Sequence, residues 1–133
     1  MGFSVLIVDD SLSMRKLIKK VIELSGFDVE EFLEAANGRE ALQLLEDHWV
    51  DLVLCDIHMP EMDGLELLRQ MRQEEVLGRI PVIMISTDGR KEVLKEAQEL
   101  GAKGYVKKPF SPEKIRETMD RVMGEEYARG ADR

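Results

Sequence analysis

Asp9-Asp10, Asp56, Ser86 and Lys108 each stand where an apolar run stops. FSVLIV (3–8) runs into the two acids, DLVLC (51–55) into Asp56, PVIMI (81–85) into Ser86 and GYVK (104–107) into Lys108. A carboxylate on the tip of a buried segment is costly to ionise without a counter-charge. Acids brought together repel: two unit charges 4 Å apart cost about 4 kcal/mol at an effective dielectric of 20. One lysine does not offset three acids, so either a carboxyl pKa rises or a cation enters. Hard oxygen ligands with open positions suit Mg2+ (or Mn2+), which keeps several waters and shares its sites with phosphate. A hydroxyl (Ser86) and an ammonium (Lys108) then suit the remaining phosphoryl oxygens. The role left for Asp56 is that of a nucleophile able to become an aspartyl phosphate.

Whether these residues meet depends on the segments between them. SMRKLIKKVIEL (13–24) places Met14, Leu17, Ile18, Val21 and Leu24 on one helical stripe, stopped by Gly26. VEEFLEA (29–35) is a weaker strand, and Asn37-Gly38 opens a helix with Ala41, Leu44 and Leu45 on one face. A third helix carries Leu65, Leu68 and Met71 in register, and a fourth carries Val93, Leu94, Ala97 and Leu100 before Gly101. Ser111-Pro112 is an N-cap with a first-turn proline, opening a helix with Ile115, Met119 and Val122 inward. Five strand–helix units in series predict an α/β fold, a doubly wound parallel sheet with helices on both faces. Nearly continuous apolar strands fit burial on both sides. In such a sheet all carboxyl ends share one edge, where open α/β folds bind ligands. Four strands therefore deliver polar groups to one rim.

The 133 residues fit one domain, expected over 1–124, with 125–133 a flexible tail because GEEYARGADR has no apolar period. The net charge of −8 argues against nucleic acid. Residues 1–88 carry 8 Lys/Arg and 18 Asp/Glu, whereas 89–123 carry 9 and 6. That basic third could dock an acidic partner. No apolar run is long enough for a bilayer, and MGFSVLIVDDS lacks the basic start of a signal peptide. A lone Cys55 in an apolar run reads as a small packed hydrophobe. Together these predict a cytoplasmic monomer without membrane insertion.

VDD (8–10), DIHMPEMDG (56–64), Ser86 and GYVKKPF (104–110) resemble the receiver domain of two-component response regulators, over about residues 4–123. Within that family, DDSLSMRKLIKKVIELSGF and the lack of an output domain most resemble the single-domain, chemotaxis-type members. The resemblance implies the flavodoxin-like strand order 2-1-3-4-5. It implies that Asp56 accepts a phosphoryl group from a sensor histidine kinase. Asp10, Asp56 and the backbone carbonyl of His58 would hold Mg2+ directly, with Asp9 acting mostly through water. Ser86 would bind a phosphoryl oxygen and Lys108 would pair with the phosphoryl group, its bond to Pro109 being cis. Tyr105 would be an aromatic switch that turns inward as Ser86 moves. His58, Thr87 and Asp88 would border the phosphoryl group and tune its hydrolysis; here the chain departs from the small residue the family often has after the hydroxyl, and the bulkier Thr87 is expected to slow the access of water. Lys91, Lys95 and Lys103 would lie on the face of the fourth helix, fifth strand and fifth helix that meets a downstream effector, a flagellar motor switch or another target. A phosphatase is a further implied partner.

Plainer readings compete. Asp9 and Asp10 could cap the helix near Ser11, Thr87 could replace Ser86 as the working hydroxyl, and Tyr105 could be a packed aromatic. Met71, Met84, Met119 and Met123 read as core filler. A relay intermediate would pass its phosphoryl group on to another histidine. An aspartyl-phosphate phosphohydrolase is disfavoured, because such enzymes need an acid two residues after the nucleophile, where this chain has His58. Nucleotide-binding glycine motifs are absent.

Overall fold

The computed structural model describes the backbone of residues 2–131 and the side chains of residues 2–124. Each apolar run forms a strand: β1 (Phe3–Val8), β2 (Val29–Ala35), β3 (Leu52–Cys55), β4 (Val82–Ser86) and β5 (Gly104–Lys107). Between and after them lie α1 (Leu12–Leu24), α2 (Gly38–Asp47), α3 (Gly64–Arg72), α4 (Lys91–Glu99) and α5 (Pro112–Ala131). A single 3-10 turn, Leu77–Arg79, precedes β4. The sheet order is β2-β1-β3-β4-β5, with every pairing parallel. This is the doubly wound α/β sheet and strand order expected. Of the tail expected at 125–133, the backbone of 125–131 continues α5 with its side chains outside the described residues, and 132–133 lie outside them altogether.

Strand periodicity divides the core in two. Val5, Ile7, Leu52, Leu54, Ile83, Ile85 and Val106 face α1 and α5, where Ile18, Ile22, Ile115, Met119 and Val122 meet them. Leu6, Val8, Val53, Cys55, Val82 and Met84 face the other way, toward Ala41, Leu45, Leu67, Leu68, Met71, Val93 and Ala97. Burying both faces leaves the strand ends as the places where polar groups reach solvent. The four methionines read as filler are all buried.

One helix face differs from expectation. Leu17 and Leu24 are 48% and 77% exposed, and α1 instead buries Ile18, Val21 and Ile22. Leu17 and Leu24 are seven residues apart and share a flank just outside the stripe that touches the sheet. In α3, Leu67 is fully buried and Leu65 only partly so.

The helix starts are fixed by side chains. Ser11 Oγ accepts from Met14 N–H at 3.1 Å, Asn37 Oδ1 from Glu40 N–H at 3.0 Å, and Asp63 Oδ1 from Glu66 N–H at 2.9 Å. Ser111 Oγ accepts from Lys114 N–H at 3.2 Å, as its position predicts. At the amino edge of the sheet, the Asp51 carboxylate accepts from Ser4 N–H and from the Trp49 indole, each at 2.8 Å. Trp49 is 61% exposed there.

Candidate functional site

Residues just past the strand ends inherit the register of the strands. Val8 pairs with Cys55, so the next residues, Asp9 and Asp56, are lateral neighbours. Asp56 N–H donates to Val8 O at 2.9 Å and Asp9 N–H to Ala35 O at 3.0 Å. Lys108 follows β5, its N–H donating to Ser86 O at 2.8 Å. Its side chain reaches past β4 to Asp9 Oδ2 at 2.7 Å and Asp56 Oδ2 at 3.0 Å. The Lys108–Pro109 peptide is cis. The structure thus brings Asp9, Asp56 and Lys108 into direct contact, from three strands.

Asp10 completes the acidic group. One carboxylate oxygen from each of Asp9, Asp10 and Asp56 lies within 4.8 Å of the others. Asp9 is buried, Asp56 half-buried and Asp10 exposed. Capping does not explain the acids: Ser11 supplies the cap of α1, and Asp9 Oδ1 accepts from Ser11 N–H at 2.8 Å. The Asp10 carboxylate has no hydrogen bond among the described residues. Three carboxylates sharing one ammonium leave a net charge near −2, and oxygen donors at this spacing fit a hard divalent cation. Asp9, Asp10 and Asp56 are the side chains that could hold it.

Burial alone would lower the Lys108 pKa, but hydrogen bonds and charge from Asp9 and Asp56 outweigh it and raise the pKa above the usual lysine value. The neighbouring Cys55 thiol is pushed up by burial and then by the Asp56, Asp9 and Asp63 charges. It stays protonated and packs as a small hydrophobe, its Sγ 3.0 Å from Asp56 O.

Two loops form the rim. Beyond β3, Gly64 packs so closely on Asp56 that a Cβ there would lie 2.1 Å from the Asp56 carbonyl oxygen. Beyond β4, Asp88 is gripped from two sides. His58 Nε2 lies 2.7 Å from Asp88 Oδ2. Arg90 lays its guanidinium on both carboxylate oxygens, Nη2 at 2.7 Å and Nε at 3.0 and 3.3 Å. These bonds, Arg90 first and His58 second, hold the Asp88 carboxyl well below the ordinary aspartate range. The His58 side chain therefore joins the two rim loops. Thr87 is exposed beside them.

Ser86 is fully buried at the end of β4, and its Oγ accepts from Asp88 N–H at 3.2 Å. Among the described residues its hydroxyl makes no hydrogen bond to Asp9, Asp56 or Lys108, which touches Ser86 only through the backbone bond above. The Tyr105 hydroxyl is buried with no partner of hydrogen-bonding geometry. Burial, then the Asp88 charge, raises the phenol pKa, while the nearby Ser86 hydroxyl opposes that rise. Tyr105 also lines a groove of about 220 Å³ with Leu94, Ala97, Gln98, Ala102, Lys103 and Gly104. Lys91, Lys95 and Lys103 are exposed on this α4–β5 side.

Sequence reasoning missed two arginines. Arg90 directly follows the Asp88-Gly89 turn and gave no periodic signal. Arg15 was legible in principle, because its spacing to Ile18 and Ile22 puts a guanidinium on the stripe that faces the sheet.

An open parallel sheet with an acidic group and a lysine at its carboxyl edge defines a class of phosphate- and cation-handling folds. Comparison with known proteins narrows it. The family model "Response regulator receiver domain" matches residues 5–120. A curated "Chemotaxis protein CheY homolog" from Campylobacter jejuni is 39% identical over 127 residues, covering 95% of this chain and 96% of its own. The solved chemotaxis response regulator CheY4 of Vibrio cholerae is 34% identical with a TM-score of 0.81, covering 92% of this chain and 99% of that one. A CheX-CheY-BeF3-Mg2+ complex from Borrelia burgdorferi contains a chain 33% identical, TM-score 0.82, covering 91% of this chain and 89% of that one. The chain belongs to the response regulator receiver domain family and is similar to chemotaxis proteins of the CheY type.

Proposed function

We propose that the chain is a stand-alone signalling switch whose Asp56 carries a phosphoryl group taken from a sensor histidine kinase in a Mg2+-dependent reaction. The observation that carries this reading is the convergence of Asp9, Asp10 and Asp56 with the Lys108 ammonium spanning two of them. An Asp56 carboxylate oxygen attacks phosphorus, the phosphorus–oxygen bond forms, the phosphorus–nitrogen bond of the donor breaks, and the imidazole leaves with the bonding pair. A bound divalent ion supplies charge neutralisation for the phosphoryl oxygens. Asp10, Asp56 and the His58 carbonyl would hold that ion, with Asp9 contributing its charge mostly through water. Lys108, already within reach of Asp56, binds a phosphoryl oxygen. Ser86 binds another after leaving its hydrogen bond with Asp88 N–H, and the unpartnered Tyr105 hydroxyl makes that aromatic the second half of the switch.

The output is a changed α4–β5–α5 face. Lys103 lines the Tyr105 groove there, Lys91 and Lys95 are exposed on α4, and the three suit an acidic effector segment, such as one on a flagellar motor switch in chemotaxis. His58, Thr87 and Asp88 border the phosphoryl group and set its lifetime, and a phosphatase would act at the same mouth. The Borrelia relative's complex with CheX, BeF3 and Mg2+ supports both the cation and a protein partner for this fold. The absence, among the described residues, of a helix long and apolar enough to cross a membrane accords with a messenger that moves between partners.

Incubation with phosphorylated kinase or a small acyl phosphate tests the proposal. Stoichiometric, acid-stable and base-labile labelling is expected, lost in Asp56→Asn and lost on chelation. Labelling of Asp56→Asn at the unaltered rate, or indifference to chelator, overturns it. In the same assay Thr87→Ala is expected to shorten the lifetime of the label, and an unchanged lifetime removes Thr87 from the tuning set.

A further inference from the structure

We infer that Arg15 is a positioning residue for the cation site: its guanidinium ties the Asp9–Asp10 peptide to Glu34 on β2 and so aims the Asp10 carboxylate. The inference rests on the proposed use of that site for a divalent ion, and it assigns a task to a side chain outside the acidic group.

Asp9 is held at every polar atom. Its N–H donates to Ala35 O at 3.0 Å, its Oδ1 accepts from Ser11 N–H at 2.8 Å, and its Oδ2 accepts from Lys108 at 2.7 Å. Its carbonyl oxygen accepts from Arg15 Nη1 at 2.6 Å. The Arg15 side chain is only 14% exposed, and its Nε donates to Glu34 Oε1 at 2.9 Å. Asp10, by contrast, is exposed, and its carboxylate makes no hydrogen bond among the described residues. Its direction is set by its own backbone, which begins with the peptide whose oxygen Arg15 holds. Groups behind metal ligands commonly fix ligand orientation in this way.

Electrostatics makes the idea testable by sign. A guanidinium beside a cation site repels the incoming ion, and the Glu34 partner offsets that repulsion. If charge alone mattered, removing Arg15 would tighten Mg2+ binding. If Arg15 positions Asp10, removing it weakens binding despite the lost repulsion.

Calorimetric titration of Mg2+ into the full chain compares the unaltered protein with Arg15→Met and Arg15→Lys, with Asp10→Asn as the control. Arg15→Met is expected to bind Mg2+ about tenfold more weakly, with the Asp10 amide resonance displaced before any metal is added. Excess Mg2+ should restore its maximal rate of Asp56 labelling, so that the metal requirement moves and the rate at saturation does not. Arg15→Lys keeps the charge but cannot span both partners, and a smaller loss is expected. Should Arg15→Met fail to fold, as circular dichroism would show, Arg15→Lys decides: weaker binding at constant charge supports the inference. Equal or tighter binding by whichever variant folds overturns it. If the unaltered chain binds no Mg2+, the reading of the site itself fails instead.

Discussion

Asp88 is the most tightly engaged carboxylate of the rim, and its bonds set a pH dependence. Arg90 and then His58 hold its pKa below the usual value. A depressed folded pKa contributes stability that is complete above the unfolded value of about 3.9 and is lost as the pH falls through the folded one. Asp88→Asn should therefore be less stable than the unaltered chain at neutral pH, by a constant margin down to about pH 4. Below that the margin should shrink, as urea melts at stepped pH would show, and a margin that grows with acid contradicts the assignment. Asp9, Asp10, Asp56 and Lys108 were legible in the sequence because each interrupts an apolar strand. Arg90 was not, since a guanidinium that folds back over two residues onto a loop carboxylate leaves no pattern. The cluster was thus readable in its acids and in Lys108, and silent in the Arg90 guanidinium that braces its rim.

Elements fix how far those residues can drift. Asp63 caps α3, and Gly64 starts that helix against the Asp56 carbonyl, where a Cβ would sit at 2.1 Å. Backbone, unlike the end of a long side chain, cannot step aside. Gly64→Ala should cost about 1–3 kcal/mol of stability and also weaken Mg2+ binding, because relief of the clash displaces Asp56. Chemical denaturation checks the first effect and metal titration the second, and a variant as stable as the parent would mean that α3 slides without strain. All five strands and five main helices were readable from composition and period, because a sheet covered on both faces demands continuous apolar runs. The exact face of α1 was not. Leu17 and Leu24 follow a helical period as faithfully as Ile18 and Ile22 do, and only the docking angle against the sheet decides which pair is buried. The 3-10 turn at Leu77–Arg79 likewise has no period to announce it.

For the molecule as a whole, a divalent ion held as proposed at the acidic edge of the sheet would make folding and cation binding a single linked equilibrium. A ligand that binds only the folded state at 100 times its dissociation constant adds about 2.7 kcal/mol. Mg2+ should accordingly raise the melting temperature of the unaltered chain. Chelator should remove the rise, and Asp10→Asn should abolish it. An equal rise in Asp10→Asn would mean that the ion binds elsewhere. The choice of optical probe follows from the opposite edge. The sequence has one tryptophan, Trp49, moored to Asp51 where the strands begin. Its fluorescence looks away from the chemistry, so it should stay dark to ion binding and phosphoryl transfer alike, and brighten or shift only when the chain comes apart. Anyone wishing to watch the proposed switch by light will need to install a reporter near Ile57.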